Sequence, residues 1–336
     1  MKVLTISLLF ICTTAMAEPP GPFGENVFLA KYKSMTLAQL SKEMAHDVPT
    51  RRGFVGEAIA EHGIKAWPIL KEAMADKDWR VRSCALYALE KLFPNSKSRP
   101  EKARQEKLRT SMTGLIPVLT KALRDPHFWV RCSAAGLLNR MGEAARPAAH
   151  ELARLCADDQ QWVRTSAIEA LRNIPNAPLD ACLLGIINVL SNKRTSFGDS
   201  RFAMEIIRRE GKRIKSSKEL SEALFHFVEN PGEGMWSDNL STAIKMLVDF
   251  KADPKRLERL FKRVLLNPIY EQRGDPRTVV CKEILKMDNA RQFAPSLKKA
   301  VAREKDLLAR GMTRKKDQLK VLEQTFKHVQ QKQGNQ

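Results

Sequence analysis

His150-Glu151-Leu152-Ala153-Arg154 is the stretch of this chain that comes nearest to a catalytic signature. Two imidazoles one helical turn apart, with a glutamate between them, would hold a zinc ion and its activated water. Arg154 stands where the second imidazole is needed, and a guanidinium has no lone pair to offer a metal. The other histidines, His46, His62, His127, His226 and His328, fall at no ligand spacing. No G-x-G-x-x-G or P-loop occurs, and Asn230-Pro231-Gly232-Glu233-Gly234 reads as a turn between helices. No nucleophile elbow is visible. No catalytic residue, cofactor or metal is therefore expected, and the protein reads as non-enzymatic.

Cysteine chemistry is equally unpromising. Cys84, Cys132, Cys156, Cys182 and Cys281 each lie beside Ala or Leu inside a helical apolar pattern, which suits small buried side chains. None has C-x-x-C spacing, so neither a zinc nor a redox pair is suggested.

What does recur is an acid, a base and an aromatic. Asp76–Leu89 (DKDWRVRSCALYAL), Asp125–Leu138 (DPHFWVRCSAAGLL) and Asp158–Leu171 (DDQQWVRTSAIEAL) align without gaps. Asp76, Asp125 and Asp158 match, as do Arg82, Arg131 and Arg164. Val81, Val130 and Val163, then Ala85, Ala134 and Ala167, then Leu89, Leu138 and Leu171 step by four, which puts them on one helical face. A helix carrying Pro68, Pro117 or Pro147 precedes each segment, and Pro is tolerated near a helix start because its missing N–H has no partner there. The unit is thus helix, turn with Asp, helix. The turn Asp is expected to cap the second helix. Trp79, Phe128, Trp129 and Trp162 stand at the start of the second helices. Stacked repeats would align them, either as a stripe for sugars or bases or as wedges between repeats.

The D-x4-V-R-x2-A-x3-L pattern with its upstream Pro resembles the HEAT-repeat family. The resemblance is clearest over residues 63–174 and implies an all-α fold, an α-solenoid of stacked antiparallel helix pairs. It also implies that Arg82, Arg131 and Arg164 reach carboxylates of the adjacent repeat. Proteins of this kind bind protein partners, most often on the concave face formed by the second helices. Residues 34–45 and 49–61 are expected to form a preceding pair. Later helices are expected near 178–191, 199–210, 216–229, 236–250, 254–266 and 275–287, with the signature degraded to Arg277-Thr-Val-Val-Cys-Lys-Glu-Ile-Leu. A solenoid over 32–289 would be followed by a basic cap over 290–336, a long C-terminal helix broken or bent at Gly311-Met312-Thr313.

Residues 1–17 read as a secretory signal: Lys2, an apolar run from Val3 to Cys12, and Ala15-Met16-Ala17 as the cleavage site. A Pro/Gly linker over 18–31 follows. The expectation is cleavage after Ala17 and a periplasmic or secreted bacterial protein with no transmembrane segment remaining.

The 336 residues carry 58 Lys+Arg against 38 Asp+Glu, a formal net charge of +20. Of this, residues 251–336 hold +12. Basic clusters stand at Lys97–Arg109, at Arg208, Arg209, Lys212, Arg213, Lys215 and Lys218, and around Arg314, Lys315 and Lys316. Of these, Arg208, Arg209, Lys212, Arg213, Arg314, Lys315 and Lys316, with Trp79, Trp129 and Trp162, are the candidate partner-binding residues. The charge points to an acidic partner, a protein first, with an anionic polysaccharide or lipid surface as alternatives. Nucleic acid is less favoured. A DNA-glycosylase-like protein using Trp129, Trp162 and Asp125 would need access to the chromosome that export denies. A ligand-processing lyase is the least supported reading.

Overall fold

The computed structural model describes residues 25–92, 113–194, 196–211, 213–230, 237–267, 276–311 and 316–331. The expected signal segment and the Lys97–Arg109 cluster lie outside them. The architecture is all-α, a solenoid of helix pairs, with no strand among the described residues. It divides into two compact units, residues 1–185 and 186–336.

In the first unit, α1 (Glu25–Lys33) begins inside the stretch expected to be linker. Four pairs follow: α2 (Leu37–Glu43) with α3 (Pro49–Glu61), α4 (Trp67–Ala73) with α5 (Trp79–Leu92), α6 (Ile116–Ala122) with α7 (Phe128–Met141), and α8 (Ala149–Leu155) with α9 (Gln161–Asn173). Helix α10 (Leu179–Ser191) spans the division between the units. Sequence chemistry sets these ends. Thr36 and Gln39 close a capping box at the start of α2. Pro68 and Pro117 occupy the first turns of α4 and α6, each entered through a short 3-10 turn. Pro147 lies inside the longer 3-10 segment Gly142–Ala148 that leads into α8.

The second helices pack in chain order, α3 on α5, α5 on α7 and α7 on α9. Their common face is the core: Val130, Val163, Ala85, Ala134, Ala167, Leu89, Leu138 and Leu171 are all at most 1 % exposed. Val81, the remaining matched valine, is only half-buried. The small alanines let the helices approach closely.

The second unit repeats the pattern without the signature. Its helices are α11 (Phe197–Glu210), α12 (Lys218–Glu229), α13 (Ser237–Asp249), α14 (Pro254–Leu266), α15 (Arg277–Lys286), α16 (Ala294–Ala309) and α17 (Lys316–Gln331). Helices α12/α13, α14/α15 and α16/α17 pack as pairs, and α11, α13, α15 and α17 stack in order. The expected long C-terminal helix is two helices, interrupted after Gly311, whose φ of 87° glycine alone adopts without strain. Helix α17 folds back on α15 and α16 and buries Leu322, Thr325 and Val329, so this segment forms one more pair.

Candidate functional site

The turns ahead of α5, α7 and α9 are built around the recurring Asp and Arg. Arg131 donates from Nε and Nη2 to Asp158 at 2.8 and 3.0 Å, and Arg82 grips Asp125 the same way at 2.7 and 2.9 Å. The Nη1 atoms turn back into their own repeats. Arg82 donates to the carbonyls of Asp76 and Lys77, Arg131 to those of Asp125 and Pro126, and Arg164 to those of Asp158 and Asp159. One guanidinium therefore closes its own turn while its fork holds the next.

The aspartates act slightly differently from a helix cap. Asp76, Asp125 and Asp158 accept the amide two residues on, from Asp78, His127 and Gln160, at 2.7, 2.8 and 2.9 Å. They shape the turn ahead of the helix, and at Asp125 and Asp158 this leaves the carboxylate facing the arginine of the preceding repeat.

A fourth copy of this turn has His46 in the place of the matched aspartate and escaped the sequence reading. His46 Nδ1 accepts the Val48 amide at 3.1 Å, and Arg52 Nη1 donates to the carbonyls of His46 and Asp47 at 2.6 and 2.8 Å. The surviving signal is an arginine six residues after a side chain that can accept a proton.

The aromatic residues do not form one open stripe. Trp79 stacks on His127 with ring centroids 3.5 Å apart and planes 9° apart, and the Arg52 guanidinium lies 5.1 Å from its ring. His127 stacks on Phe128, and Phe128 tilts against Trp129 at 4.8 Å. Trp79 is therefore a wedge between repeats. His127, which the sequence marked only as lacking ligand spacing, is the centre of this column. Burial pushes its pKa down; Asp125 opposes that shift, and Arg82, Arg131 and Arg52 add to it. Trp162 has no ring or cation contact among the described residues.

Positions four, three and four residues apart share one face of each of the helices α7 and α9. On α7 they are the partly exposed Trp129, Ser133 and Arg140, with the buried Gly136 between the last two. On α9 they are Trp162, Ser166, Glu169 and Asn173. The seam between the two faces is closed by polar contacts. Cys132 Sγ meets Ser166 Oγ at 3.3 Å, and Asn173 Nδ2 donates to Asn139 Oδ1 at 2.7 Å. Arg140 Nη1 donates to the Glu90 carbonyl on α5 at 3.1 Å. Trp129 and Trp162 thus stand in matching register beside a floor of small residues.

Other candidates go elsewhere. His150 Nε2 meets Asp180 Oδ2 at 2.9 Å in an exposed link from α8 to α10. No group of acids, histidines and cysteines that could hold a metal occurs among the described residues. The five described cysteines are buried and unbridged, and burial pushes the Cys84 thiol up to about 12. Arg209 and Arg213 both pair with the buried Glu210 at 2.7 Å, and Arg208 donates to Asn239. Lys212, Arg314 and Lys315 lie outside the described residues, as does the side chain of Lys316.

Family profiles described as HEAT repeats match residues 66–96 and 103–172 of this sequence. These segments are similar to HEAT repeats. The profile matches cover α5, α7 and α9, the HEAT second helices that carry the Arg–Asp turns. A crystal structure of an engineered protein is similar at 16 % identity, covering 95 % of this chain and 88 % of that one, with a TM-score of 0.46. A search of curated proteins finds no significant match.

Proposed function

We propose that this chain is an exported, non-enzymatic HEAT-repeat scaffold that binds a protein partner on the open face of its second helices. The observation that carries the reading is the Arg–Asp ladder. It fixes α5, α7 and α9 in register, so Trp129, Trp162, Ser133 and Ser166 are presented as one preorganised surface, and preorganisation lowers the cost of binding. Indoles flanked by small polar residues suit protein recognition, because they anchor well at little entropic cost. The positive charge supports an acidic partner.

A photo-crosslinker at Ser166 in the full chain tests this in envelope extract. One protein should crosslink there, should be lost with Trp162→Ala, and should not crosslink from Arg146, an exposed residue ahead of α8. Equal capture from Arg146 would overturn the reading. Export is tested separately, by sequencing the N-terminus of the native protein. A start at Glu18 supports it, and uncleaved protein in the cytosol would remove it.

Phosphate-rich or sulfated polymers fit less well. Arg209 and Arg213, two of the cations first considered for them, share the one carboxylate of Glu210, which offsets half of their charge. Retention on an anionic polysaccharide that Trp162→Ala leaves unchanged would favour the polymer.

A further inference from the structure

Helix α14, in the second unit, carries a surface of its own. Lys255, Arg259 and Arg263 are exposed and stand four residues apart. That spacing is the i±4 ridge of an α-helix, with successive side chains about 6 Å apart along the axis. None of the three is ion-paired among the described residues, whereas their neighbours on the same helix are. Arg256 is held by Glu222 and Glu229 at 2.7 and 2.8 Å, and Lys262 by Glu258 at 2.6 Å. The carboxylates on and beside this helix make their close contacts with Arg256 and Lys262, and Glu229 acts on Arg259 and Arg263 only at longer range. At its C-terminal end Leu266 is 38 % exposed, one of five large apolar side chains so placed among the described residues. Arg303 from α16 reaches the Leu266 carbonyl at 3.3 Å, which adds a cation at that end.

From this we infer that the α14 ridge docks an acidic helix of a partner protein, with carboxylates at four-residue spacing and an apolar side chain set against Leu266. Ridges of the i±4 type pack into the matching grooves of another helix, and opposite charges repeating at the same interval fix the register. The bordering charges argue for a partner of defined shape. A nucleic acid or an anionic bilayer extends its charge past a three-residue ridge on both sides. There it would meet Glu222, whose side chain is 58 % exposed, and Glu229.

The test uses the full chain and two synthetic alanine-rich helical peptides of equal composition. One carries Glu at i, i+4 and i+8 with Leu three residues beyond; in the other the same Glu residues are dispersed around the helix. The in-register peptide should bind at low salt, and about tenfold or more weaker when Lys255, Arg259 and Arg263 are all changed to Gln, given three partly screened charge pairs. Far-UV circular dichroism checks that the variant keeps its helices. Trp162→Ala should leave this binding unchanged, which separates failure here from failure of the second-helix reading. Equal affinity for the dispersed peptide would overturn the inference. So would no binding, or tighter binding to phosphatidylglycerol vesicles or duplex DNA than to the in-register peptide.

Discussion

At the scale of single residues, what distinguishes one acid from another is how much water its partner keeps. Asp125 is nearly closed off by the Arg82 fork, with side-chain exposures of 9 % and 13 %. Asp125→Ala strips a buried guanidinium of its acceptor and also frees the His127 amide. It should lower stability by about 2–4 kcal/mol in a denaturant melt, whereas His150→Ala at an exposed pair should cost under about 0.5 kcal/mol. Glu90 behaves in the opposite sense. It is 9 % exposed, and burial raises its pKa to about 7, a shift that Arg140 and Lys91 only partly offset. Its folded pKa lies above the unfolded value, so the native state binds the extra proton. Its contribution to stability is therefore full below about pH 4.5 and falls as pH rises through about 7. Glu90→Gln, which cannot ionise, should gain about 1–3 kcal/mol over the parent at pH 8 and nothing at pH 4. A gain that does not change with pH would refute this account of Glu90.

Among elements, the decisive quantity is how closely two helices approach. Helix α3 meets α5 through Gly56, where an added Cβ would stand 2.8 Å from Tyr87 Cδ1 and 3.3 Å from the Cys84 carbonyl oxygen. One turn earlier, a Cβ at Gly53 would meet only Tyr87 Cε1, at 3.9 Å. Alanine favours both helical positions by about 1 kcal/mol, so the two substitutions separate propensity from packing. Gly53→Ala should raise the melting temperature, while Gly56→Ala should lower it by a net cost of about 1–2 kcal/mol. In the second unit, Arg277 on α15 and Glu304 on α16 form an ion pair at 2.8 Å, 2 % and 0 % exposed. Gln318 on α17 adds a contact to Arg277 at 3.3 Å. Arg277→Met alone strands a buried charge and should cost about 3–5 kcal/mol, and adding Glu304→Leu should recover most of the loss. A double variant no more stable than the single would mean that the pair does more than satisfy its own charges.

For the whole molecule, the legible part was whatever repeats. The first-unit pairs, their prolines and their turn residues stood in the sequence because one environment recurs there and demands the same side chain each time. The turn at His46 was missed because an imidazole replaced the carboxylate while accepting the same backbone bond. Second-unit pairs were visible as helices but not as a signature, since their contacts use Arg256–Glu229 and Arg277–Glu304 in place of the turn ladder. The candidate site was only half legible. Trp79 and Trp162 look alike in sequence, and only His127 and Arg52 decide that one is a wedge. The charge of +20 can likewise be read only against the pairs that survive burial. The ladder forks are 9–16 % exposed and are screened little by salt, whereas repulsion among exposed cations more than about 10 Å apart is largely screened at 0.1 M. Raising sodium chloride from about 10 mM to 0.3 M should therefore raise the melting temperature, because self-repulsion weakens while the ladder stays intact. A melting temperature that falls over this range would show that exposed pairs such as Arg124–Glu151, not the buried forks, carry the electrostatic stability.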